Sequence, residues 1–103
     1  MADIYTLGMW TVKEGREADF VAGWQAMGEA TVADFPDAHG TLLRDRDRPG
    51  RFVSFGRWES LEQVQAWRAS DAFQQGVGRI RELLDGFEPG TYEVAAEVSR
   101  SAG

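Results

Sequence analysis

Aromatic residues near the middle of the chain have the types and spacing that point most directly to a binding site. Trp58 ends an aromatic and β-branched run typical of a strand, and Trp67 follows Leu61 and Val64 at the three-residue spacing of a helix. The indole N–H of Trp67 needs a partner if it is buried, and a ligand oxygen is one candidate. The pattern therefore predicts an aromatic-lined space between a sheet and a helix.

Metal-based and thiol-based chemistry lack the residues that they need. The chain contains no cysteine, and His39 is its single histidine. Glu59 and Glu62 lie three residues apart without a third carboxylate or an imidazole, so we predict no metal site. His39 precedes a predicted strand, where a solvated loop residue is favoured over a ligand or a base.

Length and charge restrict the class of protein. The 103 residues fit one domain, expected over residues 1–98, followed by a frayed tail at 99–103. A net charge of −6 argues against a nucleic-acid partner. No apolar run reaches the roughly 18 residues of a membrane span, and the N-terminus lacks the basic start of a signal peptide. We therefore expect a cytoplasmic protein with no membrane partner.

Hydrophobic periodicity predicts six elements in the order strand, helix, strand, strand, helix, strand. Turn signals at Asp47-Arg48-Pro49-Gly50 and Glu88-Pro89-Gly90 separate neighbouring elements. This order predicts an α+β, ferredoxin-like βαββαβ fold with an antiparallel sheet. The predicted strands are residues 4–13, 41–45, 51–59 and 91–98, the first helix is 17–35, and the second helical region extends from 60 to 85.

The second helical region contains two helix-start signals. Ser60 and Gln63 have the spacing of a capping box, and Ser70-Asp71 is typical of a second helix start. Gly76 and Gly78 weaken the following helix by around 1 kcal/mol each relative to alanine. We interpret that helix as a mobile or irregular segment.

The first strand is apolar on both faces. Tyr5, Leu7 and Met9 alternate with the residues that face the helices, and Val53 and Phe55 extend the same face across the sheet. Two helices can cover only one side of such a sheet. We therefore predict a homodimer in which two helix-free faces pack together.

The middle of the chain resembles the antibiotic biosynthesis monooxygenase (ABM) superfamily, and the resemblance extends over nearly the whole sequence. It implies a dimeric α+β barrel. The superfamily includes cofactor-free oxygenases, haem-degrading enzymes, quorum-signal isomerases and proteins without known activity. The matching residues are the Trp58-Glu59-Ser60 corner, Trp67, Ser70-Asp71-Ala72-Phe73, Lys13-Glu14-Gly15 and Tyr92-Glu93-Val94.

The haem-degrading subgroup shares Trp67 but carries two further residues that this chain lacks. Its asparagine on the first strand corresponds to Gly8, and its histidine corresponds to Gly76 or Val77. Without that imidazole the usual iron ligand is missing. The resemblance therefore predicts that haem is not a functional ligand.

The cofactor-free, quinone-forming oxygenases also share Trp67. They carry a side-chain amide one turn before it, where this chain has Gln63, and a tyrosine six residues after it, where this chain has Phe73. Phe73 has no hydroxyl with which to exchange protons with a phenolic substrate. Gly56 stands where many members of the superfamily have glutamate.

Two functions remain open. In the first, a cofactor-independent monooxygenase oxidises a flat phenolic or polyketide-like aromatic with O2, using Trp67 and Gln63 as polar contacts. In the second, the same cavity binds a small hydrophobic aromatic without turnover. In either case the predicted walls are Trp24, Met27, Trp58 and Phe73, and no cofactor is expected. Arg79 and Arg81 are candidates for holding a substrate oxyanion, although solvated surface is the favoured interpretation.

Overall fold

A computed structural model describes residues 3–98, so the predicted tail at 99–103 lies outside the described residues. The α+β, ferredoxin-like prediction is confirmed. The elements are β1 (Ile4–Val12), α1 (Glu17–Asp34), β2 (Thr41–Arg44), β3 (Arg51–Trp58), α2 (Leu61–Ala69), α3 (Asp71–Ile80), a 3-10 turn (Arg81–Leu83) and β4 (Leu84–Glu93).

The four strands form one antiparallel sheet in the order β2-β3-β1-β4. β1 lies between β3 and β4, and a hairpin connects β3 to the edge strand β2. In that hairpin Gly50 adopts a φ of 86°, and Asp45 accepts hydrogen bonds from the backbone of Asp47 and Arg48. The predicted turn is therefore confirmed. Glycine suits this position because it adopts the left-handed conformation without a steric penalty.

The core lies between the sheet and the helices. Trp10 and Phe52 project from β1 and β3 onto Phe20 of α1, which is fully buried. The ring centroids of Trp10 and Phe20 are 5.2 Å apart, and those of Phe20 and Phe52 are 5.0 Å apart. This cluster packs α1 onto the sheet, and its member Trp10 also lines the cavity described below.

Side-chain caps start both short helices, as the sequence predicts. The Ser60 hydroxyl accepts a hydrogen bond from the Gln63 backbone N–H at 3.1 Å, and the Ser70 hydroxyl accepts one from Phe73 N–H at 3.3 Å. The Gln63 side-chain oxygen accepts from the Glu59 N–H at 3.0 Å, one residue earlier than a standard capping box. The Ser60 and Gln63 caps fix the corner between the end of β3 and the start of α2.

The last strand differs from the prediction. α3 ends at Ile80, and β4 occupies Leu84–Glu93 rather than 91–98. Pro89, predicted to lie in a turn, is paired with Gly8 inside the ladder. A proline is tolerated there because β4 is an edge strand, whose outward N–H positions need no partner strand.

Gly76 has a packing role that the sequence pattern did not reveal. It is buried where α3 crosses α1, and a Cβ at this position would overlap the Met27 side chain. Gly78 is exposed, and a Cβ there would meet nothing within 4 Å. Gly76 therefore permits close helix packing, a role that the prediction of a mobile or irregular segment did not include.

The helix-free face of the sheet contains the predicted apolar residues. Leu7 is paired with Phe55, and Met9 with Val53, so these four side chains share one face. Leu43 and Tyr92 extend it at the two edges and are 50% and 55% exposed, while Phe55 is 37% exposed. This surface, called the helix-free face below, remains the predicted dimer interface.

Candidate functional site

A cavity of about 510 Å³ lies between the sheet and the helices. β1 and β3 form its floor, α1 and α2 form its sides, and the loop at Ala38 to Gly40 contributes to its edge. This volume falls within the range of small-molecule sites. The structure brings five of the six sequence-predicted site residues to this cavity: Trp24, Met27, Trp58, Trp67 and Phe73.

Three rings form a continuous aromatic wall. The centroids of Trp58 and Trp67 are 4.9 Å apart with the planes tilted by 32°, and Trp67 meets Phe73 edge-to-face at 4.6 Å. Such contacts hold the rings in fixed orientations relative to one another. A planar apolar ligand would therefore meet a preformed surface.

The indole of Trp67 is already satisfied within the protein. Its N–H donates to the Thr31 hydroxyl at 3.0 Å, and that hydroxyl donates to the Met27 carbonyl at 2.9 Å. The expectation that a ligand oxygen is the partner of this N–H is therefore corrected. Thr31 is buried on α1 and joins α1 to α2 at the cavity wall.

The structure does not bring Gln63 to the cavity. Its side-chain oxygen caps α2 through the Glu59 N–H, and the residue is absent from the cavity lining. The structure therefore places this predicted polar contact outside the cavity lining, because the start of α2 holds the amide at the corner of the fold.

The cavity floor carries two hydroxyl groups, those of Thr6 and Ser54, that were not predicted as site residues from the sequence. The Thr6 hydroxyl accepts from the Trp58 indole at 3.0 Å, and the Ser54 hydroxyl accepts from the Trp10 indole at 2.9 Å. Strand alternation places Thr6, Gly8 and Trp10 on one face, which would have indicated Thr6 as a candidate. The cross-strand partners themselves are separated by 52 and 44 residues and carry no local signal.

The titratable side chains of the cavity wall are Glu29, His39 and Arg68. Arg68 donates to the Thr91 hydroxyl at 2.8 Å and to the Gly90 carbonyl at 3.2 Å, which connects α2 to β4. Arg79 and Arg81, the arginines singled out from the sequence, are exposed and lie outside this wall. Arg68 is therefore the arginine that a ligand would meet.

One ion pair with a clear electrostatic effect lies away from the cavity. Arg57 donates to Asp3 at 3.0 Å, and this hydrogen bond lowers the pKa of the Asp3 carboxyl from its ordinary value. The same bond raises the pKa of Arg57. Both groups are exposed, so the pair contributes little to stability.

Within residues 3–98, no cluster of three or more histidine or carboxylate side chains is placed to hold a metal ion. Over the same residues, no helix has the length and apolar character to cross a membrane.

Solved structures with the same fold share limited sequence identity with this chain. SnoaB from Streptomyces nogalater, a cofactor-independent oxygenase, superposes with a TM-score of 0.83 at 22% identity, covering 97% of this chain and 100% of SnoaB. Protein SO0527 from Shewanella oneidensis superposes with a TM-score of 0.78 at 21% identity over 90% of this chain and 91% of its own. A conserved protein of unknown function from Bacteroides thetaiotaomicron gives 0.79 at 17% identity over 90% and 98%. At these identities the likeness shows the fold alone.

A comparison with curated proteins finds no match. The family model for antibiotic biosynthesis monooxygenase matches residues 3–79, a range that extends from β1 almost to the end of α3 and includes the aromatic wall. The chain therefore belongs to the antibiotic biosynthesis monooxygenase family.

Proposed function

We propose that the protein is a cofactor-independent monooxygenase that oxidises a flat phenolic or polyketide-like aromatic with O2. The observation that carries this proposal is the aromatic wall of Trp58, Trp67 and Phe73 beside a floor bearing hydroxyl groups. Such a site would orient a planar ring and contact its oxygens. Membership of the family supports the same reaction class.

The substrate itself would supply the electrons. In an anthrone, loss of a methylene proton gives an enolate, which reacts with O2 at that carbon. One oxygen atom becomes the new ketone, and the other leaves as water with the two methylene hydrogens, so the four-electron oxidation balances without a cofactor. The protein would exclude water, hold the ring and stabilise the enolate oxygen.

We assign the role of proton acceptor to His39. It lies at the cavity edge, and imidazole is the most frequent general base in proteins. Glu29 also lines the cavity, and its carboxylate could accept a proton, so Glu29→Gln is the comparison for a His39 variant. A His39→Ala variant should therefore lower kcat by about 100-fold or more, whereas an unchanged kcat would exclude this assignment.

The alternative function is binding without turnover. It is favoured by three of the four cavity indoles, those of Trp10, Trp58 and Trp67, whose N–H groups donate within the protein to Ser54, Thr6 and Thr31. A cavity of this kind can hold a hydrophobic aromatic metabolite through its walls alone. Turnover, rather than affinity, separates the two functions.

Oxygen uptake by metal-free protein with anthrones and naphthols should exceed the uncatalysed rate. A Trp67→Phe variant should lower kcat/KM by about two- to tenfold, because a smaller ring loses part of the wall contact. The variant also removes the Trp67–Thr31 hydrogen bond between α2 and α1, so its unfolding midpoint is measured beside the rate. An oxygen electrode measures both rates.

Gln63→Ala is the matched control for this measurement. It removes a cap of α2, at a cost of about 1 kcal/mol in the free energy of unfolding, but leaves the cavity wall intact. Its oxygen uptake should equal that of the unmodified protein. Uptake at the background rate in all proteins, together with micromolar quenching of tryptophan fluorescence by the same compounds, would leave the binding function.

Haem should not bind as a functional ligand. Gly8, Gly76 and Val77 occupy the positions of the asparagine and histidine found in the haem-degrading subgroup. Titration with haemin should give no sharp stoichiometric Soret shift, and reductant should cause no enzymatic haem loss. A shift that disappears in His39→Ala would identify His39 as an iron ligand and contradict this prediction.

We also propose that two chains associate through the helix-free face. In the described part of the chain, no helix covers its apolar side chains Leu7, Met9, Val53 and Phe55. Leu43 and Tyr92 extend the surface to both sheet edges. Packing two such faces would remove this apolar area from water. The cavity, on the opposite side of the sheet, would stay within each subunit.

A further inference from the structure

The cavity floor has an alternating arrangement of hydroxyl groups and glycines. Thr6 on β1 is paired with Gly56 on β3, and Gly8 is paired with Ser54, so the two hydroxyls occupy diagonal positions on the same face. Thr6 is 7% exposed, and both hydroxyl residues line the cavity. A ligand at the cavity floor would therefore meet two polar groups on neighbouring strands.

Each floor hydroxyl receives a hydrogen bond that fixes its oxygen but leaves its hydrogen free. An indole N–H can only donate, so Thr6 and Ser54 act as acceptors toward Trp58 and Trp10. Neither hydroxyl donates to another group in the described part of the chain. Thr31 is different, because it accepts from Trp67 and also donates to the Met27 carbonyl.

Glycine at position 8 is needed for this arrangement. A Cβ on Gly8 would lie 2.8 Å from the Ser54 hydroxyl oxygen and 2.9 Å from the Trp10 indole nitrogen, closer than real Cβ contacts allow. At Gly56 a Cβ would lie 2.8 Å from the His39 carbonyl oxygen. Gly8 thus leaves room for the hydrogen bond between Trp10 and Ser54, and Gly56 lets the His39 carbonyl lie close to the sheet beside Thr6.

We infer that Thr6 and Ser54 form a pair of hydrogen-bond donors for the oxygen atoms of the ligand. The ligand class is then an aromatic that carries carbonyl or phenolate oxygens on the edge facing the sheet, rather than an aromatic hydrocarbon. The indole bonds polarise both hydroxyls and strengthen the bonds that they donate. This inference rests on the proposed function, in which enolate charge develops on such an oxygen.

Binding of alizarin, a hydroxylated anthraquinone, tests the donors without any turnover, because it is already oxidised. Anthracene is the oxygen-free control of the same shape. Thr6→Val and Ser54→Ala should each weaken alizarin binding by about two- to tenfold. Anthracene binding should change less than twofold, with both affinities measured by quenching of tryptophan fluorescence.

Thr6→Ser is the conservative control, since it keeps the hydroxyl and should restore alizarin affinity. The visible spectrum gives a second readout: donors favour bound phenolate, so loss of a hydroxyl should raise the pH at which bound alizarin ionises. Equal losses for alizarin and anthracene, or no preference for alizarin in the unmodified protein, would overturn the inference. Should Thr6→Val fail to fold, Ser54→Ala alone decides.

Failure of the inference and failure of the proposed function are separate results. Absence of oxygen uptake with retained donor-dependent alizarin binding would reject the oxygenase and keep the donor pair. Oxygen uptake unaffected by Thr6→Val and Ser54→Ala, with alizarin affinity also unchanged, would keep the oxygenase and reject the donor pair.

Discussion

Replacing Val53 by aspartate is expected to dissociate the proposed dimer. Val53 lies on β3 opposite Met9, near the middle of the helix-free face. A twofold-symmetric interface carries the change twice, so two unpaired carboxylates would be transferred out of water. Since each such transfer costs several kcal/mol, the dissociation constant should rise by more than about 100-fold. Sedimentation velocity at micromolar concentration measures the shift from dimer to monomer.

Gln65→Asp provides the matched control for that experiment. It adds the same negative charge at an exposed position of α2, on the opposite side of the sheet from the proposed interface. The control should sediment like the unmodified protein. An unmodified protein that is monomeric at micromolar concentration would contradict the dimer. An unaltered dimer in Val53→Asp would show that the interface lies elsewhere.

The parts of the fold with strong local signals were predictable. The change from strand to helix at Ser60 combines a period switch with a cap, and the structure has β3 ending at Trp58 and α2 beginning at Leu61. The alternation along β1 predicted which side chains share the helix-free face. In both cases the information lies within a few residues, where periodicity and capping are reliable guides.

The predicted position of the last strand is wrong because the turn preference of Pro-Gly conflicts with the location of β4 at the edge of the sheet. Pro89 followed by Gly90 is typical of a turn, and only the place of β4 at the sheet edge makes proline acceptable there. Edge position depends on the topology of the whole chain. The local pattern could not supply it.

The polar part of the site was the least predictable. Trp67 lines the cavity, but its hydrogen-bond partner Thr31 is 36 residues away on another helix. Thr6 and Ser54 acquire their roles only when β1 and β3 pair. Gln63 was given a cavity role by resemblance, whereas its capping-box signal, also visible in the sequence, describes its position in the structure. Here the local signal was the better guide.

Alanine at position 76 is expected to destabilise the protein, although alanine is the better helix former. The two glycines of α3 make a matched pair, because they lie two residues apart in the same helix. At Gly76 a Cβ would overlap Met27, so overpacking should lower the free energy of unfolding by about 1–3 kcal/mol. At Gly78 nothing lies within 4 Å, and Gly78→Ala should raise it by up to about 1 kcal/mol. Chemical denaturation at equal protein concentration measures both values.

A double variant tests whether the Met27 contact is the cause. Met27→Ala alone should destabilise by about 2–5 kcal/mol because it opens a cavity, but it also removes the atoms that a Cβ at position 76 would meet. Adding Gly76→Ala to Met27→Ala should therefore cost less than Gly76→Ala costs alone, giving a coupling energy above about 0.5 kcal/mol. Additive effects, or a stabilising Gly76→Ala, would contradict the packing role. Because Met27 lines the cavity, Gly76→Ala should also weaken aromatic binding, whereas Gly78→Ala should leave it unchanged.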